Sequence, residues 1–317
     1  MATKKCVVFG STGQDGSLLC KSLIKQGHVV IGTSREKIKQ CANHIQIGID
    51  QACEIYKLDY SNSKEVMQFI DEHNPDEIYN MSAQSSVSLS FKQPQETFKS
   101  IVEFTIILLE ACKNLQFNGR ILFAGSGEMY GHSESPINIK SPRKPISPYG
   151  IAKNTSYELV KMYRNLYNLQ CMTAIFFNHE SELRHSSFVI SKIVQAVKKS
   201  SQSEKYKITM GNIEIYRDWG WAEEFIEALQ LICRANKIKD YIVCTGEKMQ
   251  LKQLIKLAFE YNQLNWKNHI SIDNSLLRPS DILISYGDPR ELNNELGWRS
   301  KLKGNELIKK LIEHSKQ

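Results

Sequence analysis

The stretch that decides the fold is Gly10-Ser11-Thr12-Gly13-Gln14-Asp15-Gly16, which lies directly between an apolar run at residues 6–9 and a helical pattern. Glycine at these positions permits a tight turn and lets the backbone approach a pyrophosphate, which then rests at the helix N-terminus. A glycine triplet alone is weak evidence, because many strand-to-helix turns use glycine. Here it follows the first strand of an alternating chain, so we expect a dinucleotide-binding loop.

Short apolar runs and helical patterns alternate outward from this loop as far as residue 177. The runs are nearly continuous, as in a parallel sheet that helices cover on both faces. After residue 177 the rhythm changes, and amphipathic helices alternate with fewer strands. We predict an α/β fold: a Rossmann-type doubly wound parallel sheet in residues 1–177, and a smaller α/β substrate-binding domain mainly in residues 178–317, with later segments returning to the first. The predicted helices include residues 16–26, 63–73, 95–114 and 149–167, and the predicted strands include residues 120–124, 171–177, 206–210 and 241–244.

Composition excludes several classes of protein. The chain has 317 residues, with 41 Lys and Arg against 34 Asp and Glu, and 41% of its residues are hydrophobic. This apolar content and the mixture of charges exclude a mainly disordered chain. No run approaches the roughly 20 apolar residues of a membrane-spanning helix. The net charge of +7 is spread out, without a basic stripe or interleaved aromatic residues, so we expect neither nucleic acid nor a membrane as a partner.

Eight cysteines are scattered along the chain, with no CxxC pair and no Cys/His spacing typical of a metal site. In a chain this long, such cysteines are more often buried apolar residues than disulfides. We therefore predict a reducing cytoplasm as the location and no metal ion.

The end of the second predicted strand bears on the cofactor. Enzymes that use NAD usually place an acidic residue there to hold the ribose diol. This chain has Arg35 instead, and a cation favours a 2′-phosphate, hence NADP, with NAD as the alternative. Asp59, followed by Tyr60, closes the third strand and is placed to meet the adenine. The alternative for Asp59 is a helix cap.

Four polar residues form the predicted catalytic set. Tyr149 and Lys153 stand at i and i+4 in a helix that begins at Pro148, so they share one face. A cation near the phenol favours the phenolate and lowers the pKa of the tyrosine, which makes it usable as a base near neutral pH. Ser126 and Glu128 follow the strand at residues 120–124, and therefore lie at the carboxyl edge of the sheet, where ligands bind.

At this point the residues match a known family. The chain resembles the extended short-chain dehydrogenase/reductases and, within them, the GDP-mannose 4,6-dehydratase family. The resemblance runs nearly end to end and includes the three-residue spacing of the glycines in the loop. The most specific segments are Phe177-Asn178-His179-Glu180-Ser181, Arg217-Asp218-Trp219-Gly220, Ala83-Gln84-Ser85, Ser147-Pro148-Tyr149-Gly150 and Arg278-Pro279.

The resemblance implies a role for each matching position. Tyr149 would take the proton of the sugar C4 hydroxyl while hydride leaves C4 for the nicotinamide, and Lys153 would hold the nicotinamide ribose. Ser126 would hydrogen-bond the C4 oxygen. Glu128 would remove the C5 proton, after which water leaves C6 and the hydride returns there. The implied cofactor contacts, besides the loop, Arg35, Asp59 and Tyr60, are Ala83, Gln84, Ser85, Tyr149, Lys153, His179 and Arg184. The implied substrate contacts are Ser85, Ser126, Asn178, Lys192, Arg217 and Arg278, whose cations suit a nucleotide diphosphate.

Three segments depart from the family pattern. The chain reads Ser126-Gly127-Glu128 where the family reads Thr-Ser-Glu. The hydroxyl that helps the C6 oxygen leave is thus replaced by a residue that cannot relay a proton. Arg35-Glu36-Lys37 keeps one of two arginines in a segment that, in tetrameric members, reaches a neighbouring subunit's cofactor. Glu182-Leu183-Arg184 keeps the second arginine of a Pro-Arg-Arg segment.

The predicted activity is 4,6-dehydration of GDP-mannose or a related GDP-sugar, such as a GDP-heptose. The alternatives on the same scaffold are a GDP-sugar C4 dehydrogenase or 4-keto reductase, which Gly127 favours, and an epimerase, which would also use Glu128. An idle nucleotide-binding protein is a further alternative, against which the intact Ser126, Tyr149 and Lys153 argue. By resemblance we expect a homodimer through the helices 95–114 and 149–167, with a homotetramer as the alternative.

Overall fold

The computed structural model describes residues 2–37 and 40–314, so residue 1 and residues 315–317 at the outer ends of the predicted domains lie outside the described residues. The strands are β1 Lys5–Phe9, β2 Val29–Ser34, β3 Glu54–Lys57, β4 Glu77–Asn80, β5 Arg120–Ser126, β6 Cys171–Phe176, β7 Asn178–Glu180, β8 Ile208–Met210, β9 Tyr216–Trp221, β10 Tyr241–Val243, β11 Lys248–Gln250, β12 Ile270–Ile272 and β13 Ile284–Ser285. The α-helices are α1 Gln14–Lys25, α2 Ala42–Gln46, α3 Ser63–His73, α4 Val87–Lys92, α5 Pro94–Phe98, α6 Phe104–Asn114, α7 Pro148–Tyr167, α8 Val189–Ser200, α9 Ala222–Cys233, α10 Leu251–Glu260, α11 Arg290–Leu296 and α12 Gly304–His314.

Seven parallel strands form the main sheet, in the order β10-β6-β5-β4-β1-β2-β3. One apolar core lies between one face and α1 and α9, and a second lies between the other face and α3, α6 and α7. The strand order reverses between β1 and β4, so the loops that follow these two strands diverge and leave a crevice, where this type of sheet binds its ligands. The predicted Rossmann-type fold is confirmed.

The second half of the chain builds smaller sheets and also extends the first. Strand β9 pairs with β7, β11 and β13, and β8 pairs with β12. Helices α8, α10 and α12 cover these strands with a third core, which contains the side chains of Trp219 and Trp221. Strand β10 returns to the main sheet and pairs with β6 at its edge.

The largest difference from the predicted elements lies at residues 95–114. Instead of one helix, α5 and α6 are joined by a π-helical turn, Lys99–Glu103. The hydroxyls of Ser100 and Thr105 bond to backbone carbonyls one turn earlier, and such bonds compete with the regular helical ladder. The strand predicted at residues 206–210 is shorter, since only β8 pairs with β12. Within the described residues, no helix is both long and apolar enough to span a membrane.

Candidate active site

The glycine loop lies at the crevice, between β1 and α1. Gly10 adopts φ +75°, and a Cβ there would come within 2.7 Å of the Ser82 Cα in the loop after β4, so only glycine fits this close approach. Gly13 is the N-cap of α1 and makes no side-chain capping bond. The first turn of this 12-residue helix therefore presents backbone N–H groups to the crevice, which is the chemistry that binds a phosphate.

A buried ion pair joins this loop to the second half of the chain. His179 Nε2 lies 3.0 Å from both carboxylate oxygens of Asp15, and Gln14 accepts a bond from Ser181 at 2.9 Å. Burial opposes the charge on Asp15, but His179 and Arg184 outweigh it and lower the pKa of Asp15 to about 2. Burial also opposes protonation of His179, and Asp15 more than offsets this, so the pKa of His179 is raised.

We expect Asp15→Asn to remove a pH-dependent part of the stability. A carboxyl with a lowered pKa stabilises the fold above its ordinary value of 3.8 and loses this as pH falls toward 2. A histidine with a raised pKa stabilises below its ordinary value of 6.5 and loses this as pH rises through the folded pKa. Urea unfolding should therefore show the wild type more stable than Asp15→Asn by about 1–3 kcal/mol between pH 4 and 6.5, with the difference shrinking above that window. The exposed Asp71→Asn is the control, and a difference constant from pH 4 to 9 would contradict the ion pair.

The sequence analysis did not predict the short helix α2, whose side chains hydrogen-bond to the backbone of the glycine loop. In α2, Asn43 Nδ2 donates to the Thr12 carbonyl, and His44 Nε2 bonds to the Ser11 carbonyl, both at 2.9 Å. The Tyr60 hydroxyl accepts from the Gly10 N–H at 3.0 Å. These bonds fix the loop's backbone before any ligand arrives. Five residues with weak helical periodicity gave α2 no signal in the sequence.

A cavity lies at the ends of β2, β3 and β4, and Ser82, which faces Gly10, is part of its lining. Its lining includes four predicted cofactor contacts, Arg35, Asp59, Tyr60 and Ala83, together with Glu96 and Lys99. Arg35 Nη1 lies 3.1 Å from Glu96 Oε1, and both side chains are about half exposed. Asp59 accepts bonds from the N–H and the hydroxyl of Ser61, which lower its pKa. The open helix end, the glycine approach and this cavity fit a dinucleotide.

Two further predicted cofactor contacts, Gln84 and Ser85, follow β4 on the opposite side of the crevice. Gln84 Nε2 donates to the Thr97 hydroxyl at 3.1 Å, which fixes this loop against α5. The side chain of Ser85 is exposed. Both residues are thus in the loop that faces the glycine turn through Ser82.

The predicted catalytic residues meet at the carboxyl end of β5. Ser147 caps α7 by accepting the Gly150 N–H at 3.0 Å, which starts the helix at Pro148 and turns Tyr149 toward Ser126. The Ser126 hydroxyl lies close enough to the Tyr149 phenol to act on its pKa. Lys153 lies with Nζ 5.9 Å from the Tyr149 ring centre and donates to the Ala124 carbonyl at 2.7 Å.

The electrostatics of Tyr149 differ from the sequence prediction. Burial, with the Glu128 and Asp15 carboxylates, raises the pKa of Tyr149 to about 12, although Ser126 and Arg184 pull it down. The prediction that Lys153 brings it toward neutrality is wrong for the protein alone. Burial also lowers the pKa of Lys153 to about 8 against the pull of Asp15, so the lysine holds its charge weakly. A buried lysine that donates to a backbone carbonyl stabilises a nearby phenolate less than the i, i+4 spacing of the two residues suggests.

Glu128 faces a cluster of charges contributed by the second half of the chain. Burial raises the pKa of Glu128, and Arg217 and Arg278 partly offset this, while Asp281 adds to it. Asp281 Oδ1 lies 3.3 Å from Arg217 Nη2 and 3.4 Å from Arg278 Nη1. Arg278 Nε also donates to the Ser88 hydroxyl at 3.1 Å. Sequence reasoning missed Asp281, whose only signal was its position three residues after Arg278.

The space for a side chain at residue 127 is taken by Phe177. A Cβ on Gly127 would meet the Phe177 ring at 3.0 Å, and this ring is buried in a core cluster with Met129 and Ile175. The Phe177 ring therefore occupies the space that a side chain at residue 127, where the family has a serine, would need.

We expect Gly127→Ala to lower the free energy of unfolding by about 1–3 kcal/mol, the cost of overpacking a filled core. The same change in a Phe177→Leu background should cost less, because the smaller side chain leaves room. Chemical denaturation of the four proteins gives this coupling as a double-mutant cycle. Equal costs in both backgrounds would show that Phe177 is not what excludes a side chain.

The remaining predicted contacts to cofactor and substrate are Arg184, Asn178 and Lys192. Arg184 lies 3.4 Å from the buried Glu180 and packs on the Phe188 ring, and its charge acts on Tyr149. Asn178 is half-buried on β7. Lys192 is exposed on α8, whereas Arg217 is buried on β9. Asp218, the neighbour of Arg217 on β9, accepts the N–H groups of Thr245 and Gly246 and the Thr245 hydroxyl.

Comparison with known proteins identifies the family. The family model described as GDP-mannose 4,6 dehydratase matches residues 7–311. The chain belongs to this family. GDP-mannose 4,6 dehydratase 1 of Arabidopsis thaliana is 34% identical over 321 residues, covering 98% of this chain and 89% of the relative. The resemblance predicted from the motifs is thus confirmed.

Two solved structures show the same fold as this member of the GDP-mannose 4,6-dehydratase family. The dTDP-glucose 4,6-dehydratase of Bacillus anthracis, in complex with NAD, superposes with a TM-score of 0.85 at 16% identity, over 98% of this chain and 96% of that one. RMD of Pseudomonas aeruginosa, complexed with NADPH, superposes with a TM-score of 0.80 at 20% identity, over 99% of both chains.

Proposed function

We propose that this protein is a nicotinamide-dependent 4,6-dehydratase of GDP-mannose or a related GDP-sugar. One observation carries the proposal: Ser126 and Tyr149, the pair suited to C4 oxidation, lie beside Glu128, an acid whose pKa is raised. A simple reductase has no use for a second base. Family membership supports the nucleotide-sugar substrate, and the solved relatives, complexed with NAD or NADPH, support the cofactor.

The residues of the chain serve two steps, the oxidation at C4 and the deprotonation at C5. Ser126 holds the C4 oxygen while Tyr149 takes its proton, and Lys153 supports the phenolate as it forms. When bound, the oxidised cofactor would accept hydride and favour the phenolate by its positive charge. Glu128 then takes the C5 proton, which a C4 ketone makes acidic, and a raised pKa makes it a stronger base than an exposed glutamate. Arg217 and Arg278 would hold the diphosphate.

The loss of water from C6 needs a proton that residue 127 does not supply. Glu128 becomes protonated when it takes hydrogen from C5, and the C6 oxygen needs one proton to leave as water. We propose that Glu128 performs both transfers, so that the proton taken from C5 departs with the C6 oxygen. This balances the elimination without a side chain at residue 127. When hydride returns to C6, C5 takes one proton from solvent and Tyr149 releases to solvent the proton that it took from the C4 hydroxyl.

Incubation of the purified protein with GDP-mannose and catalytic NADP tests the proposal. Mass spectrometry should show a product lighter by one water, with the oxidised cofactor regenerated. The same assay on GDP-heptoses decides the sugar. A product lighter by two hydrogens, with reduced cofactor accumulating, would establish instead the C4 dehydrogenase that Gly127 favours.

We propose NADP rather than NAD, because Arg35 ends β2 at the cavity where an acidic residue would hold the ribose diol. Arg35→Ala should weaken NADP binding by about tenfold and leave NAD binding nearly unchanged. Glu96→Gln removes the competing carboxylate and should act in the opposite direction, strengthening NADP binding. Calorimetry with each cofactor measures both effects. Parallel losses for NADP and NAD in Arg35→Ala would contradict a 2′-phosphate contact.

We further propose a homodimer, with a homotetramer as the alternative. Helices α6 and α7 expose the large apolar side chains of Ile106, Ile151, Met162 and Leu166, which a second copy would cover.

We also propose that residues 1–177 bind the dinucleotide and that residues 178–317 mainly bind the sugar nucleotide. Glu128 in the first segment and Arg217 and Arg278 in the second support this assignment. We propose a reducing cytoplasm as the location, because the eight cysteines are free and buried.

A further inference from the structure

Three side chains with metal-binding atoms meet beneath the glycine loop. Cys20 lies on α1, His44 on α2 and Cys53 just before β3. All three are buried, and one ligand atom from each lies within 4.8 Å of the other two. The sequence predicted no metal site, because these residues are too far apart in the chain to form a recognisable spacing.

The orientation of His44 leaves one nitrogen without a partner. Its Nε2 lies 2.9 Å from the Ser11 carbonyl oxygen, which can only accept, so Nε2 carries the hydrogen and Nδ1 holds the lone pair. Nδ1 is buried and makes no hydrogen bond. A buried acceptor without a partner costs about 1–3 kcal/mol. Histidines that bind metal usually donate their other N–H to a backbone carbonyl or a carboxylate, as His44 does here.

The two thiols complete a set that suits one metal class. Two thiolates and a neutral imidazole together balance the charge of a divalent cation, which a buried site requires. With bonds of about 2.3 Å to sulfur and 2.0 Å to nitrogen, tetrahedral zinc would set its ligand atoms about 3.5–3.8 Å apart. Because the observed atoms lie within 4.8 Å of one another, the cluster needs to contract by no more than about 1.3 Å.

We propose that Cys20, Cys53 and His44 Nδ1 bind a structural Zn²⁺ ion behind the pyrophosphate loop. Binding releases the two thiol protons to solvent. Cys41, which is buried at the N-cap of α2, lies outside this group of three and would have to move toward it to become the fourth ligand. The ion would tie α1, α2 and the start of β3 together, and through His44 it would hold the Ser11 carbonyl of the loop.

The first experiment measures metal on the intact protein. The chain is purified under reducing conditions from zinc-supplemented cells, and zinc per chain is determined by mass spectrometry after removal of loosely bound metal. Cobalt replacement should give the charge-transfer bands of thiolate ligation. The variants are Cys53→Ser and His44→Gln, whose amide can still donate to Ser11 but offers no imidazole nitrogen. The control is Cys112→Ser, another buried thiol, which lies near Cys171 in a different core.

We expect about one zinc per chain in the wild type and in Cys112→Ser, and at least a tenfold loss of zinc affinity in Cys53→Ser and His44→Gln. Chelation should also lower the melting temperature of the wild type. Wild-type protein without stoichiometric zinc would overturn the site, whether or not the variants fold. Zinc retained equally by all variants would show adventitious binding, and a Cys20–Cys53 disulfide in the purified protein would replace the metal site by a redox pair. None of these outcomes depends on the dehydratase activity.

Discussion

Tyr149→Phe should reduce the turnover of GDP-mannose by about 10²–10⁴-fold, the range for loss of a positioned proton-transfer group. The phenol is buried beside Ser126, whereas the hydroxyls of Thr155 and Ser156 on the same helix bond to the Ile151 carbonyl and to Thr105. Because C4 oxidation comes first, the variant should also fail to reduce bound cofactor when substrate is added. Cofactor absorbance in a single turnover and product mass in steady state measure the two effects.

Tyr157→Phe is the matched control for this prediction. It removes a phenol from a buried ring of the same helix, on the side that packs against Arg143. It should keep near-normal turnover, and both variants should keep normal cofactor affinity. If Tyr149→Phe still reduced the cofactor at the wild-type rate, Tyr149 would not be the base for C4.

Glu128→Gln should stop the reaction after C4 oxidation. The amide keeps the shape of the side chain but cannot take the C5 proton, so release of dehydrated product should fall by about 10²–10⁴-fold. Transient reduction of the cofactor should persist, because Ser126, Tyr149 and Lys153 are intact. In heavy water, the wild-type product should acquire deuterium at C5, and the variant should exchange far more slowly.

The control for Glu128→Gln is Glu134→Gln, in the same loop after β5. The Glu134 side chain is 81% exposed and pairs with the exposed His132, so its loss should leave turnover unchanged. Continued dehydration by Glu128→Gln with full C5 exchange would assign the second base to another residue. Together, the tyrosine and glutamate variants separate the oxidation half of the mechanism from the elimination half.

The parts of the site that depend on local spacing were predictable from the sequence. The loop from Gly10 to Gly16 and the pair Tyr149–Lys153 each lie within one turn or one helix, so their geometry follows from the element that carries them. The pKa of Tyr149 was not predictable in this way, since it depends on burial and on Glu128 and Asp15, which arrive from other elements.

Contacts between distant segments account for most of what sequence reasoning missed. Asp281 bridges Arg217 and Arg278 only after β9 and the loop before β13 have come together. Phe177 explains Gly127 only because β6 ends beside β5. Similarly, the Cys20–His44–Cys53 cluster joins three elements that no spacing rule connects. Each is a long-range contact, whose partner cannot be read from a single window of sequence.

The pairing of β10 with β6 has a consequence for biosynthesis. The main sheet is completed by residues 241–243, and one of its apolar faces is covered by α9, residues 222–233. A ribosome adds about 5–20 residues per second, so for several seconds the nascent chain exposes the edge of β6 and the core surface that α9 later covers. Chaperones should engage the nascent chain during that interval, and a fragment ending at residue 177 should aggregate instead of folding as a soluble nucleotide-binding unit.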